Sequence, residues 1–149
     1  MLTLTEAAER AMKEHAEQGY PHEVCGLLIG LLDEEGRLRR VRKTGAARNL
    51  NRDRPDDRYE LDPSDFLRIE REAKAERLDV LGVYHSHPDH PSIPSETDRL
   101  RAEEIWQSAE SWSYVILQVV SGRVASRRSW ILRDGVFAEE EMSLETSAI

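Results

Sequence analysis

His85-Ser86-His87-Pro88-Asp89-His90-Pro91-Ser92-Ile93-Pro94-Ser95-Glu96-Thr97-Asp98 is the stretch whose reading decides the fold of this chain. It follows a β-like run, Val80-Leu81-Gly82-Val83-Tyr84, and precedes a helical pattern that begins at Ser95. Imidazoles at i and i+2 on a strand face the same way, with their roots about 7 Å apart. Long imidazole arms close that gap onto one ion. A carboxylate, Asp98, returns after the proline-rich turn 88–94. Two His and one Asp form the ligand set of a catalytic zinc site, whose fourth position stays open. The same set also serves non-haem iron. Each residue has a plainer role as well. Ser95-x-x-Asp98 fits a helix-capping box, and Pro88, Pro91 and Pro94 suit a stiff loop.

Upstream of this stretch the pattern alternates helix and strand. Leu4, Ala7, Ala8, Ala11, Met12 and His15 recur at helical spacing, which predicts a helix over Thr3–Gln18 with Thr3 and Glu6 as its capping box. Residues 24–32 are nearly all apolar and predict a fully buried strand. Asp33-Glu34-Glu35-Gly36 turns the chain into a second strand, Arg37–Lys43. Residues 44–58 are polar, carry Arg48, Arg52, Arg54 and Arg58, and read as a long loop, either solvated or a dock for an acidic partner. Tyr59-Glu60-Leu61 reads as a short strand, and Asp62-Pro63 as the cap and first residue of a helix.

Downstream, a helix is expected over Ser95–Ala109, with Leu100, Ile105 and Trp106 as core anchors. Three strands follow, Tyr114–Val120, Val124–Leu132 and Val136–Glu141, joined by Ser121-Gly122 and Arg133-Asp134-Gly135 into an antiparallel meander. Trp112 and Trp130 are expected to pack, and Cys25 to be a small core residue. The fold class is α/β (α+β), a single mixed sheet with helices on it. A single domain is expected over residues 1–142, with 143–149 as a disordered tail.

Composition narrows the function. The chain has 149 residues, 39% hydrophobic and 34% charged, with a net charge of −8. That balance argues against nonspecific nucleic-acid binding, which needs clustered Lys and Arg. One cysteine allows no internal disulfide. No apolar run approaches a membrane span and no leader pattern opens the chain, so a cytoplasmic location without membrane contact is expected.

His85-Ser86-His87-Pro88, six residues, then Ser95-Glu96-Thr97-Asp98 resembles the JAMM motif of the Mov34/MPN metallopeptidases. The family also has an upstream glutamate at the entry to a strand. Pro21-His22-Glu23-Val24-Cys25-Gly26 supplies it as Glu23, 62 residues before His85. Tyr59-Glu60-Leu61-Asp62-Pro63 resembles the segment before the family's central helix. The resemblance spans roughly residues 1–135 and implies a cytidine-deaminase-like MPN fold, a curved mixed sheet flanked by helices. It further implies Zn²⁺ on His85, His87 and Asp98, Glu23 as the base for the attacking water, and Ser95 as donor to the oxyanion. His90 is left without a ligand role.

Seven residues separate His87 from Ser95, so the chain resembles the compact prokaryotic members rather than the insertion-bearing deubiquitinases. The compact form implies a peptidase acting after the C-terminal Gly-Gly of a ubiquitin-like sulfur-carrier protein. A deubiquitinase-like isopeptidase and a non-catalytic MPN scaffold or tail-binding module are the alternatives. The sequence names neither the carrier nor the oligomeric state.

Overall fold

The computed structural model describes residues 1–51, 59–105 and 111–145, excluding the side chains of 101–105. Its elements, in chain order, are β1 (Leu2–Leu4), α1 (Glu6–Gly19), β2 (Cys25–Leu32), β3 (Arg39–Ala47), α2 (Pro63–Ala75), β4 (Asp79–Pro88), α3 (Glu96–Ile105), β5 (Ser113–Val120), β6 (Arg123–Arg133), β7 (Val136–Glu140) and β8 (Met142–Leu144). The strands form one eight-stranded mixed sheet in the order β7-β6-β5-β4-β2-β3-β1-β8.

The apolar run 24–32 becomes β2 because both of its faces are covered. Leu28 packs with Ala8, Met12 and Ala16 of α1, while Cys25, Leu27 and Ile29 pack with Ile69 and Ala73 of α2. Two-sided burial is what a continuous hydrophobic run, rather than an alternating one, records. β2 pairs antiparallel with both β3 and β4, which places β4 inside the sheet. The hairpins after β5 and β6 form as expected. Ser121-Gly122 and Asp134-Gly135 all take positive φ (49°, 86°, 52° and 77°), the geometry of two-residue turns that follow strand twist.

Several local expectations give way to tertiary pairing. Leu2–Leu4 is a strand, parallel to β3 on one side and to β8 on the other, with Leu2 and Leu4 fully buried. The first helix therefore starts later. Its cap is Thr5, whose Oγ1 accepts from the Ala8 N–H (3.1 Å), not Thr3. β3 runs on to Ala47, taking up residues expected in the loop, and Tyr59–Leu61 contributes one isolated bridge, Asn49 to Leu61. Asp62 caps α2 through Ser64 N–H (2.8 Å), as Asp-Pro predicts. Leu100 is 44% exposed and is no core anchor. The Ile105 side chain, Trp106 and Arg52, Arg54 and Arg58 lie outside the described residues. The domain end expected at 142 falls inside β8, where Ser143 and Leu144 pair with Thr3 and Leu4. Among the described residues no helix is long and apolar enough to cross a membrane.

β4 needs a glycine where β5 joins it. A Cβ on Gly82 would lie 1.9 Å from the Ser113 carbonyl oxygen, a backbone contact that no rotamer relieves. Gly82→Ala is expected to destabilise the protein by about 1–3 kcal/mol, measured as a lower denaturant midpoint. An unchanged midpoint would mean the β4–β5 pairing is looser than its geometry.

Candidate metal centre

His85 and His87 lie on the β4 face that Val83 buries against α2, as the period of two requires. The sheet register brings Glu23 to them. Cys25 pairs with His85 across β2 and β4, so residue 23 falls opposite residue 87. Just beyond the ladder, Ser86 Oγ accepts from Val24 N–H (2.9 Å), and Ser86 N–H donates to the Val24 carbonyl (3.1 Å). Glu23 is 4% exposed, and ligand-type atoms of Glu23, His85 and His87 lie within 4.8 Å of one another.

Asp98 closes the group from the start of α3. His85 Nε2 and His87 Nε2 are 3.1 Å apart, His85 Nε2 lies 3.2 Å from Asp98 Oδ1, and His87 Nε2 lies 3.0 Å from Asp98 Oδ2. A tetrahedral zinc with bonds of about 2.0–2.1 Å spaces its ligands about 3.3–3.4 Å apart. The two imidazole nitrogens, each facing its own oxygen of Asp98, already stand close to that spacing.

Hydrogen bonding supports a cation among them. His87 Nδ1 is 2.7 Å from the Pro91 carbonyl oxygen, which only accepts, so Nδ1 carries the proton. A neutral His87 then presents a bare Nε2 lone pair to a carboxylate oxygen and to a second imidazole. A metal ion or a second proton relieves that arrangement, and a carbonyl-fixed tautomer is usual for a ligating histidine. The protons respond in the expected directions. Burial pulls His85 down. Burial also pulls on His87, but the hydrogen bond and charge of Asp98 outweigh it and hold the ring above its ordinary value. Asp98 is buried, which raises it, yet the two imidazoles drive it far below the usual carboxylate range.

Capping and ligand geometry coexist at Asp98. Ser95 N–H donates to Asp98 Oδ2 (2.9 Å), and Asp98 N–H donates to Ser95 Oγ (3.0 Å). A carboxylate has about four lone-pair sites, so one oxygen serves the cap while the group still faces both rings. Ser95 Oγ accepts in the cap and keeps its O–H to donate. A cavity of about 460 Å³ opens beside the group, lined by Glu23, His87, His90, Pro91, Ile93, Ser95 and Thr97.

Some residues at the site carry no sequence signal for their roles. The Tyr59 ring stacks on His85 (centroids 4.5 Å apart, planes at 27°), and His85 Nδ1 is buried with no hydrogen-bond partner among the described residues. On that side of the ring stacking takes the place of a hydrogen bond, while Nε2 faces Asp98 and His87. Trp130 Nε1–H donates to the Ser92 carbonyl (3.1 Å) and ties down the loop that carries Pro91. His90, given no ligand role by the motif, lines the cavity. His15 is a half-buried histidine satisfied by a neighbour, its Nδ1 2.7 Å from the Tyr84 hydroxyl.

The two histidines and capping aspartate on β4 and α3, and the buried glutamate opposite, all lie within the span of one family model. A family model described as prokaryotic homologs of the JAB domain covers residues 5–133. The chain belongs to that family. It is a JAMM-type metallopeptidase with the MPN/JAB fold. It is 36% identical over 105 residues to a desampylase of Haloferax volcanii, covering 68% of this chain and 72% of that protein. It is 29% identical over 135 residues to the CysO-cysteine peptidase of Mycobacterium tuberculosis, covering 90% and 84%. A solution structure of a Desulfitobacterium hafniense protein superposes with a TM-score of 0.83 at 28% identity, over 99% of this chain and 94% of that one.

Cys25 of this JAB-domain protein is buried two residues from Glu23. Burial pushes its thiol up to about 12, with the charges of Glu23 and Asp65 adding to the shift. Native protein is expected to react with a thiol reagent about 10³-fold more slowly than unfolded protein. Rapid labelling of the folded chain would contradict the core role.

Proposed function

We propose that this protein hydrolyses the amide bond after the C-terminal Gly-Gly of a ubiquitin-like sulfur-carrier protein, with zinc on His85, His87 and Asp98. The observation that carries this is the convergence of three ligand side chains, whose donor atoms lie 3.0–3.2 Å apart, beside a buried carboxylate at the wall of an open cavity. The sulfur-carrier substrate is supported by the mycobacterial relative, whose name states a CysO-cysteine substrate. A cytoplasmic location belongs to the same reading.

Zinc, when bound, supplies Lewis acidity and brings the pKa of a water it holds to about 7. The chain's own residues do the rest. Glu23 takes a proton from the attacking water and passes it to the departing amine, since one carboxylate serves as base and then as acid. Ser95 donates its O–H to the scissile carbonyl oxygen as charge develops there, a contact whose loss typically costs about 10²–10³ in rate. Asp98 is held as an anion by the Ser95 N–H and by both imidazoles. Pro91 and Ile93 give the cavity an apolar wall suited to an extended tail.

The test is incubation of the zinc-loaded protein with a sulfur carrier bearing a cysteine after Gly-Gly, read by mass spectrometry. Loss of one cysteine residue from the carrier, blocked by a chelator, is expected. An uncut carrier alongside cleaved Lys-linked ubiquitin chains would replace this substrate with an isopeptide. Tight binding without turnover would leave a tail-binding module.

A further inference from the structure

The β2–β4 ladder ends at the pair Cys25 and His85, so Glu23 lies past the last regular sheet pairing. Its main chain must be fixed by something else. Asn49, just after β3, meets it there: Asn49 Nδ2–H donates to the Glu23 carbonyl oxygen (3.0 Å). The other end of the same amide closes a loop. Asn49 Oδ1 accepts from the main-chain N–H of Asn51 (3.0 Å) and of Glu60 (2.9 Å). N–H donors meet only the amide oxygen and a carbonyl meets only the amide nitrogen, so the orientation of the group is fixed by its partners.

The base of this clip is firm. Leu50 N–H donates to the Glu60 carbonyl (2.7 Å), and Asp62 N–H donates to the Arg48 carbonyl (3.1 Å). Arg48 Nη2 also reaches Asp62 Oδ2 (2.5 Å), and its main-chain N–H donates to Asp65 Oδ2 (2.8 Å). The amide that holds Glu23 is thus anchored to the start of α2, while Val24 is anchored to Ser86 of β4. The Glu23 carbonyl and the Val24 N–H belong to one peptide unit, gripped on one edge by Asn49 and on the other by Ser86, so the main chain from which the Glu23 side chain departs is held in place.

We propose that Asn49 is a positioning residue for Glu23, holding the glutamate main chain through its Nδ2–H so that the carboxylate stays aimed at the two imidazoles. This rests on the role given to Glu23 above. The Nδ2–H of Asn49 reaches the main chain of Glu23, so its effect is expected on the base rather than on the ligand set. Orienting partners of this kind typically change activity about 10–100-fold, because small misplacements of a reacting group are costly.

Asn49→Asp separates the two ends of the amide. It keeps an acceptor for Asn51 and Glu60 and loses the donor to Glu23. Asn49→Ala loses both. Three readouts are taken on the full chain: kcat and KM on a sulfur carrier ending in Gly-Gly-Cys, the zinc Kd, and the pH midpoint of the visible spectrum of the cobalt-loaded protein. Asn49→Asp is expected to lower kcat about 10–100-fold with KM within about twofold, to leave the zinc Kd within about threefold, and to move the cobalt midpoint toward that of Glu23→Gln.

Wild-type kcat and midpoint in Asn49→Asp would overturn the proposal, even with Asn49→Ala impaired, because the asparagine would then be a loop clip alone. A zinc Kd weakened in step with kcat would overturn it too, since the ligand set itself would have been disturbed. Should Asn49→Ala fail to fold, Asn49→Asp carries the test. A wild-type protein that leaves the carrier uncut sinks the substrate assignment alone, and the cobalt midpoints then decide. Glu23→Gln with wild-type kcat removes the role of Glu23 and this inference with it.

Discussion

Glu23→Gln is expected to lower kcat by about 10²–10⁴ while zinc still binds. The glutamate is 4% exposed and stands opposite His87 through the register of β2 on β4. Glutamine keeps its shape and its hydrogen-bonding reach but accepts no proton. The upper end of that range applies because one carboxylate acts twice, first on water and then on the leaving amine. The ligand set is His85, His87 and Asp98 in the proposed site, so the zinc Kd should stay within about threefold of wild type, by comparison with the about 10–100-fold loss seen when an outer partner of a ligand is removed. Turnover of the carrier by mass spectrometry and zinc affinity by competition titration check the two halves separately. Undiminished kcat would show that another group is the base. A collapse of zinc affinity would make Glu23 a ligand instead, which its place within 4.8 Å of the imidazole nitrogens makes a sharp alternative.

His87→Ala is expected to abolish stabilisation by zinc. A ligand that binds only the folded state at 100 times its Kd adds about 2.7 kcal/mol. For a chain of this size that is a rise in Tm of about 5–11 °C. His87, one of the three proposed ligands, is held with Nδ1–H on Pro91 and Nε2 facing both Asp98 and His85. Removing it leaves two donors, and the zinc-dependent rise should vanish. The wild-type rise should also depend on pH in a set direction. In the metal-free protein His87 lies above its ordinary value, so the stability it contributes through Asp98 is present below the unfolded value and is lost as pH rises through the folded one. Metal needs the neutral ring. The zinc-dependent rise should therefore be largest above the His87 titration and shrink as pH falls through it. Melting curves with and without zinc between about pH 5 and about pH 8 measure this. A rise that survives His87→Ala, or that grows on acidification, would remove His87 from the ligand set.

The parts of this molecule that were legible from sequence are those written in short-range pattern. The two-sided apolar run of β2, the Asp62-Pro63 entry to α2, the Ser121-Gly122 and Asp134-Gly135 turns, and the period-two placement of His85 and His87 each depend on neighbours a few residues away. β1 was not legible, because Thr3-Leu4-Thr5-Glu6 satisfies a helix start locally and becomes a strand only when β3 and β8 flank it. Leu100 looked like a core residue because apolar spacing does not say whether another element covers that face. Ser95-x-x-Asp98 read as a choice between a cap and a ligand, and the folded chain makes both contacts at once.

Sequence by itself determined the residue types at the centre and the strand that carries two of them, since the side chains of a strand alternate whatever surrounds it. It also determined, through motif resemblance, which distant glutamate to pair with them. Only the tertiary structure decided how that pairing is made. The antiparallel register sets residue 23 opposite residue 87, Ser86 and Asn49 hold the chain there, Tyr59 covers His85, and Pro91 fixes the tautomer of His87. These contacts join residues up to 62 positions apart. Register and packing between distant segments follow from burying both faces of the whole sheet, and no local window of sequence contains that constraint.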